Sequence, residues 1–130
     1  MKEIELAKEH FGRLIEEQFA RIENMKKDNE FLSYESLDTI IIGIVGGDGI
    51  GPFITGEAQK VLEFLLKDQV QENKVRFKVI DGLTIENRAA QKTAIPADVL
   101  EELKQCHVIL KGPTTTPRAG DKWPNIESAN

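Results

Sequence analysis

Ile40-Ile41-Ile42-Gly43-Ile44-Val45 is an unbroken apolar run in which every residue except the glycine is β-branched. No polar residue alternates with the apolar ones, so neither face of such a strand can meet water. A strand of this kind belongs in the middle of a sheet that helices cover on both sides. The glycine-rich Gly46-Gly47-Asp48-Gly49-Ile50-Gly51-Pro52 follows and turns the chain into a helix. Pro52 sits near the first helical position, where its fixed φ and missing N–H do no harm.

The rest of the chain fits around that strand. Ala58, Val61, Leu62, Leu65, Leu66 and Val70 recur at helical spacing and predict the buried stripe of the helix after the turn. Residues 75–80 read as a second strand, with Val75, Phe77 and Val79 pointing one way. A short helix is expected near 84–90. Another starts at Pro96, with Val99, Leu100 and Leu103 inward, and residues 106–111 form a third strand. Ahead of all this, residues 3–28 form an amphipathic helix. Its stripe runs through Ile4, Ala7, Phe11, Leu14, Ile15, Gln18, Phe19, Ile22 and Met25, apolar except for Gln18. Such a helix packs on its own domain or on a partner subunit. The order α, β-α-β, α, α, β is how a doubly wound α/β sheet begins. The expected domains are a helical extension with linker over 1–38 and a partial α/β domain over 39–130, truncated at its C-terminal end.

Composition excludes several function classes. The 130 residues are 40% hydrophobic and 30% charged, with a net charge of −5. That acidity argues against a nucleic-acid partner, which calls for a basic face. No apolar run approaches the roughly 18–20 residues that cross a bilayer. The single cysteine, Cys106, makes an intrachain disulfide impossible and reads as a small buried hydrophobe rather than a nucleophile. The N-terminus lacks a secretory h-region and is too rich in glutamate for a transit peptide. A cytoplasmic location is expected.

Leu110-Lys111-Gly112-Pro113-Thr114-Thr115-Thr116-Pro117 carries an apolar strand into a lysine, a Gly-Pro turn and three hydroxyls. Strand ends that open onto such loops are where parallel sheets place ligands. The glycine turn alone is a weak signal. It matches neither G-x-G-x-x-G nor a P-loop, and Asp48 would repel a phosphate. It reads as a structural turn in which Asp48 caps or hydrogen-bonds the loop, or as a rim contact with a ligand bound elsewhere. His10 and His107 fall within a helix and a strand pattern and read as structural. Asp48, Asp81 and Asp121 are too scattered to argue for a metal site.

Taken together, the stretches 47–52 and 111–117 resemble the isocitrate/isopropylmalate dehydrogenase family, and within it the isocitrate dehydrogenases. Gly82-Leu83-Thr84, Ile95-Pro96 and Ser128-Ala129-Asn130 have counterparts there, and the likeness spans residues 40–130. The resemblance implies the first half of that family's doubly wound sheet. It also implies oxidative decarboxylation of isocitrate to 2-oxoglutarate, with NAD or NADP and with Mg²⁺ or Mn²⁺. Isopropylmalate or another 2-hydroxy acid is the alternative substrate, and a non-catalytic module keeping this part of the fold is a further one. By the same resemblance Thr115 and Thr116 face the cofactor, Ser128 and Asn130 are donors to the substrate, and Lys111 lies near the site. A polar Ser-Ala-Asn run suits isocitrate better than the apolar branch of isopropylmalate. The family's arginine cluster, catalytic tyrosine and lysine, and metal-binding aspartates would all follow Asn130. No catalytic or metal-binding residue is therefore assigned here, and the chain alone is expected to be inactive, with a homodimer expected at full length. Two departures stand out: Phe53 replaces a commoner acidic residue, and 118–127 form an insert in which Trp123 reads as a packing anchor.

Overall fold

The computed structural model describes residues 2–27 and 32–129. The chain divides into two compact units, Met1–Tyr34 and Glu35–Asn130. The first holds helix α1, Lys2–Lys27, with Glu3 and Glu5 in its first turn and Lys26 and Lys27 in its last. Those charges complement the helix dipole at both ends. No residue of α1 is buried.

The second unit is built on β1, Ile40–Val45, which pairs parallel with β2, Val75–Val79, and with β3, Val108–Lys111. The order is β2-β1-β3, so the unbroken apolar run is the central strand. Helices α2 (Gly51–Leu65) and α3 (Lys67–Gln71) join β1 to β2, while α4 (Ile85–Gln91) and α5 (Ala97–Lys104) join β2 to β3. Crossing from one side of β1 to the other creates a topological switch between β1 and β3.

The two faces of β1 feed two cores. Ile42 and Ile44 pack with Val75, Leu66, Phe77 and Leu110. Val45 packs with Ile80, Leu83, Val99 and Ala129, against Ile95, Leu103 and Cys106. Gly43 is required on this second face, because a Cβ there would stand 2.9 Å from the Cys106 sulfur.

Four expectations need correction, the first being Leu100, which is 38% exposed on α5 while Val99 alone of that helix is buried. The buried face of α2 is Gly51 and Thr55, continued by half-buried Ala58 and Leu62. Val61 and Leu65 lie on its exposed flank at 58% and 66%, and Val70 of α3 is also exposed. The helical period was right, but the stripe is rotated toward the turn because Gly51 has to press against the strand ends. The third strand starts at Val108, not at 106, since Cys106 N–H still donates to Leu103 at the end of α5. His107 bridges the gap: its N–H donates to Ile41 O, and its Nδ1 accepts from Ile41 N–H at 2.9 Å. The second strand ends at Val79, although Ile80 N–H still donates to Ile44 O at 2.9 Å.

The glycine turn and the loop after β3 meet backbone to backbone. A Cβ on Gly47 would collide with the Pro113 carbonyl oxygen, and one on Gly51 or Gly112 would collide with the Gly46 carbonyl oxygen. Gly47 also has φ +73, which β-carbon-bearing residues rarely adopt. Gly47→Ala is expected to cost roughly 3 kcal/mol of unfolding free energy, combining steric overlap and backbone strain. Gly56→Ala, where nothing lies within 4 Å, should instead stabilise α2 by about 0.5–1 kcal/mol. Urea unfolding of both variants checks the contrast; equal midpoints would refute the interlock.

Candidate functional site

At the carboxyl end of the sheet, β1 opens into the glycine turn and β3 into Gly112-Pro113-Thr114-Thr115. Ligands of open α/β sheets bind outside the strand ends at the switch point. Here a shallow concavity of about 240 Å³ is lined by Asp48, Gly49, Ile50, Pro113, Thr114 and Thr115. A second concavity of about 250 Å³ lies between β1 and β2, beside Thr55, Gln59, Asp81 and Thr84. The first is the better candidate because it sits at the switch and joins the two motifs.

Asp48 organises that corner. Its Oδ2 accepts from Thr115 N–H at 2.7 Å, and its Oδ1 accepts from Ile85 N–H at 2.7 Å. Its own N–H donates to Pro113 O at 2.8 Å. The aspartate therefore hydrogen-bonds the loop after β3 and the first residue of α4 rather than capping its own helix: α2 has Ile50 at its N-cap and no side-chain cap. Carboxylates accepting two backbone N–H groups form the stronger, charge-assisted class of bond.

Arg88 completes the clamp from below. It is fully buried, and its Nε, Nη1 and Nη2 donate to Ala94 O, Thr115 O and Glu127 O, each at 2.7 Å. A buried guanidinium is tolerated only when it is hydrogen-bonded, and each of its three nitrogens here donates to a carbonyl. Thr115 is thus held by Asp48 at its N–H and by Arg88 at its carbonyl. Sequence reasoning passed over Arg88, although a signal existed. Its spacing from Ile85 and Ala89 places it on the buried stripe of α4, where an arginine needs a reason. Thr84 caps that helix, its Oγ1 accepting from Asn87 N–H at 3.4 Å, so the stripe faces inward at a fixed angle.

Lys111 lies half-buried at the end of β3, its Nζ donating to Gly112 O and to the Thr114 hydroxyl, both at 3.1 Å. Burial holds its ammonium below the usual lysine range. The Arg88 charge pushes the same way, while Asp48 opposes both. Thr116 is exposed, and its hydroxyl donates to the exposed Ser128 hydroxyl at 3.4 Å. Of the expected site residues only Thr115 lines the concavity; Thr116 and Ser128 meet each other on adjoining loops, and Lys111, at the end of β3, reaches the lining through Thr114. Asn130 lies outside the described residues. The terminal loop is anchored by Ile126 and Ala129, both 8% exposed. Trp123, expected to anchor it, is only half-buried, with the Lys122 ammonium 4.6 Å from its ring centre. Among the described residues no three His, Cys, Asp or Glu side chains are grouped to hold a metal ion. None of the helices in the described residues is long and apolar enough to cross a membrane.

Two measurements test this construction. Arg88→Met is expected to cost about 3–5 kcal/mol, because three carbonyl oxygens lose their charged donor; a loss under about 1 kcal/mol would reject the clamp. Lys111 should titrate below the usual lysine range when side-chain nitrogens are followed by NMR, and Asp48→Asn should lower its midpoint further. The sign follows from the depressed folded-state value. The penalty from charged Lys111 is complete at low pH and is relieved as pH rises through the folded midpoint toward the unfolded one. A Lys111 midpoint within the usual lysine range would contradict the burial and charge arrangement.

A family model described as isocitrate/isopropylmalate dehydrogenase matches residues 41–129. The chain is 35% identical over 83 residues to the 3-isopropylmalate dehydrogenase of Carboxydothermus hydrogenoformans, covering 64% of this chain and 20% of that relative. It is 33% identical over 88 residues to the 3-isopropylmalate dehydrogenase of Moorella thermoacetica, covering 68% of this chain and 23% of that relative. The match thus spans about a fifth of the length of these curated relatives. No solved structure matches the chain significantly.

Proposed function

The chain belongs to the isocitrate/isopropylmalate dehydrogenase family, and on that premise we propose that it supplies part of the ligand site of a 2-hydroxy-acid dehydrogenase. The reaction is oxidative decarboxylation, with isocitrate as substrate and 2-oxoglutarate as product. What supports this most is Thr115, whose main chain is gripped by Asp48 on one side and by Arg88 on the other at the switch between β1 and β3. A loop held at both ends of one residue presents its hydroxyls without an ordering cost on binding.

Thr115 and Thr116 take the nicotinamide side of NAD or NADP in this reading. A dinucleotide outsizes the concavity of about 240 Å³ beside Thr115, so these residues hold one end of it. When bound, the nicotinamide supplies the hydride acceptor. The described residues offer no group fit to hold Mg²⁺ or Mn²⁺. Ser128 and Asn130 serve as donors to the substrate, and Lys111 adds a positive charge near its carboxylates. A Ser128 hydroxyl within 3.4 Å of that of Thr116 suits a carboxylate, since neutral hydroxyls orient an anion without binding it too tightly.

A second reading has 3-isopropylmalate as substrate, and the names of the two relatives favour it. Amide NMR titration of this chain separates the readings. Isocitrate with NAD⁺ or NADP⁺ should shift Thr115, Thr116 and Ser128, and Ser128→Ala should weaken the isocitrate response several-fold, as for one lost hydrogen bond. A stronger response to 3-isopropylmalate would favour the second substrate, and shifts confined to other residues would reject the site. The chain alone should not reduce NAD⁺ or NADP⁺ with isocitrate; measurable turnover would overturn that expectation.

A further inference from the structure

From Ile4 to Met25 the large apolar side chains along α1 are between 40% and 65% exposed. We propose that this stripe pairs antiparallel with α1 of a second copy of the chain, independently of the dehydrogenase reading. The charges on one flank of the stripe decide the occupant. Lys8 is ion-paired with Glu5 at 3.0 Å, and Lys26 with Glu23 at 2.8 Å. The second pair repeats the first after five full helical turns, so all four charges line one flank.

Set antiparallel about a two-fold axis, Lys8 faces Glu23 of the second copy and Glu5 faces its Lys26, and symmetry repeats both contacts. The same register puts Ile15 near its own copy, Phe11 beside Phe19 of the second chain and Ile4 beside its Met25. A parallel pair brings this flank against the opposite one. There Arg21 of one copy meets Lys26 of the other, offsetting the attraction between Glu3 and Lys8. Closing two such stripes over about 39 Å of helix buries on the order of 1,000 Å², near the lower limit for a specific interface. A membrane surface is disfavoured, because six acidic and six basic residues balance along α1, where a surface-binding helix carries a basic polar face.

Analytical ultracentrifugation of the full chain at micromolar concentration tests the pairing. The wild-type chain should sediment as twice 14.6 kDa, more weakly at high salt. Lys8→Glu and Glu23→Lys should each raise the dimer dissociation constant roughly 3- to 10-fold, because each replaces two attractions with repulsions. The double variant should restore wild-type affinity, since the exchanged charges at positions 8 and 23 attract each other again only in the antiparallel register. Circular dichroism should show α1 helical in every variant. A monomer at all concentrations, binding to anionic vesicles without dimer formation, or failure of the double variant to rescue would each overturn the proposal.

Discussion

The Arg88 guanidinium, sealed from water and bonded to three carbonyl oxygens, is the contact on which the rest of the site depends. It ties the loop after α4, the loop after β3 and the terminal loop to one point. Removing an arginine from water costs several kcal/mol unless its donors find acceptors. The three carbonyls therefore have to converge, and the loops carrying them take their places accordingly. Ile126 and Ala129 then lay the terminal loop onto the core, which leaves Ser128 outside beside Thr116.

Asp48 opposes Arg88 across Thr115. One residue is thus held through its N–H by an anion and through its carbonyl by a cation. Around this grip the two motifs interlock through glycine backbones, with Gly47 against Pro113 and both Gly51 and Gly112 against Gly46. Side chains at those positions would separate β1 from β3 at their carboxyl ends. The switch crevice would then open, and Lys111 would lose the half-buried setting in which Arg88 and Asp48 act on it.

Much of this was legible in the chain itself. The Ile40–Val45 run specified a central strand, and it sits between β2 and β3. The breaks at Gly46–Pro52 and Gly112–Pro117 marked the strand ends, and their joint likeness to one family agrees with the match over residues 41–129. The face of α2 was misread because Val61 and Leu65 share its period with Ala58 and Leu62. Periodicity gives the spacing of a stripe, but only the neighbours choose its angle. Trp123 drew attention through its size, whereas the smaller Ile126 and Ala129 anchor the loop.

What the sequence determined by itself is the kind of sheet and where β1 and β3 stop, because unbroken β-branched runs and glycine-proline turns act through local sterics and desolvation. Tertiary structure alone decided which distant groups meet: Asp48 with Thr115, Arg88 with Glu127, His107 with Ile41 and Thr116 with Ser128. Partners so far apart in the chain leave no periodic trace. Their pairing is fixed only when a parallel sheet brings the strand ends together and buried polar groups must find one another.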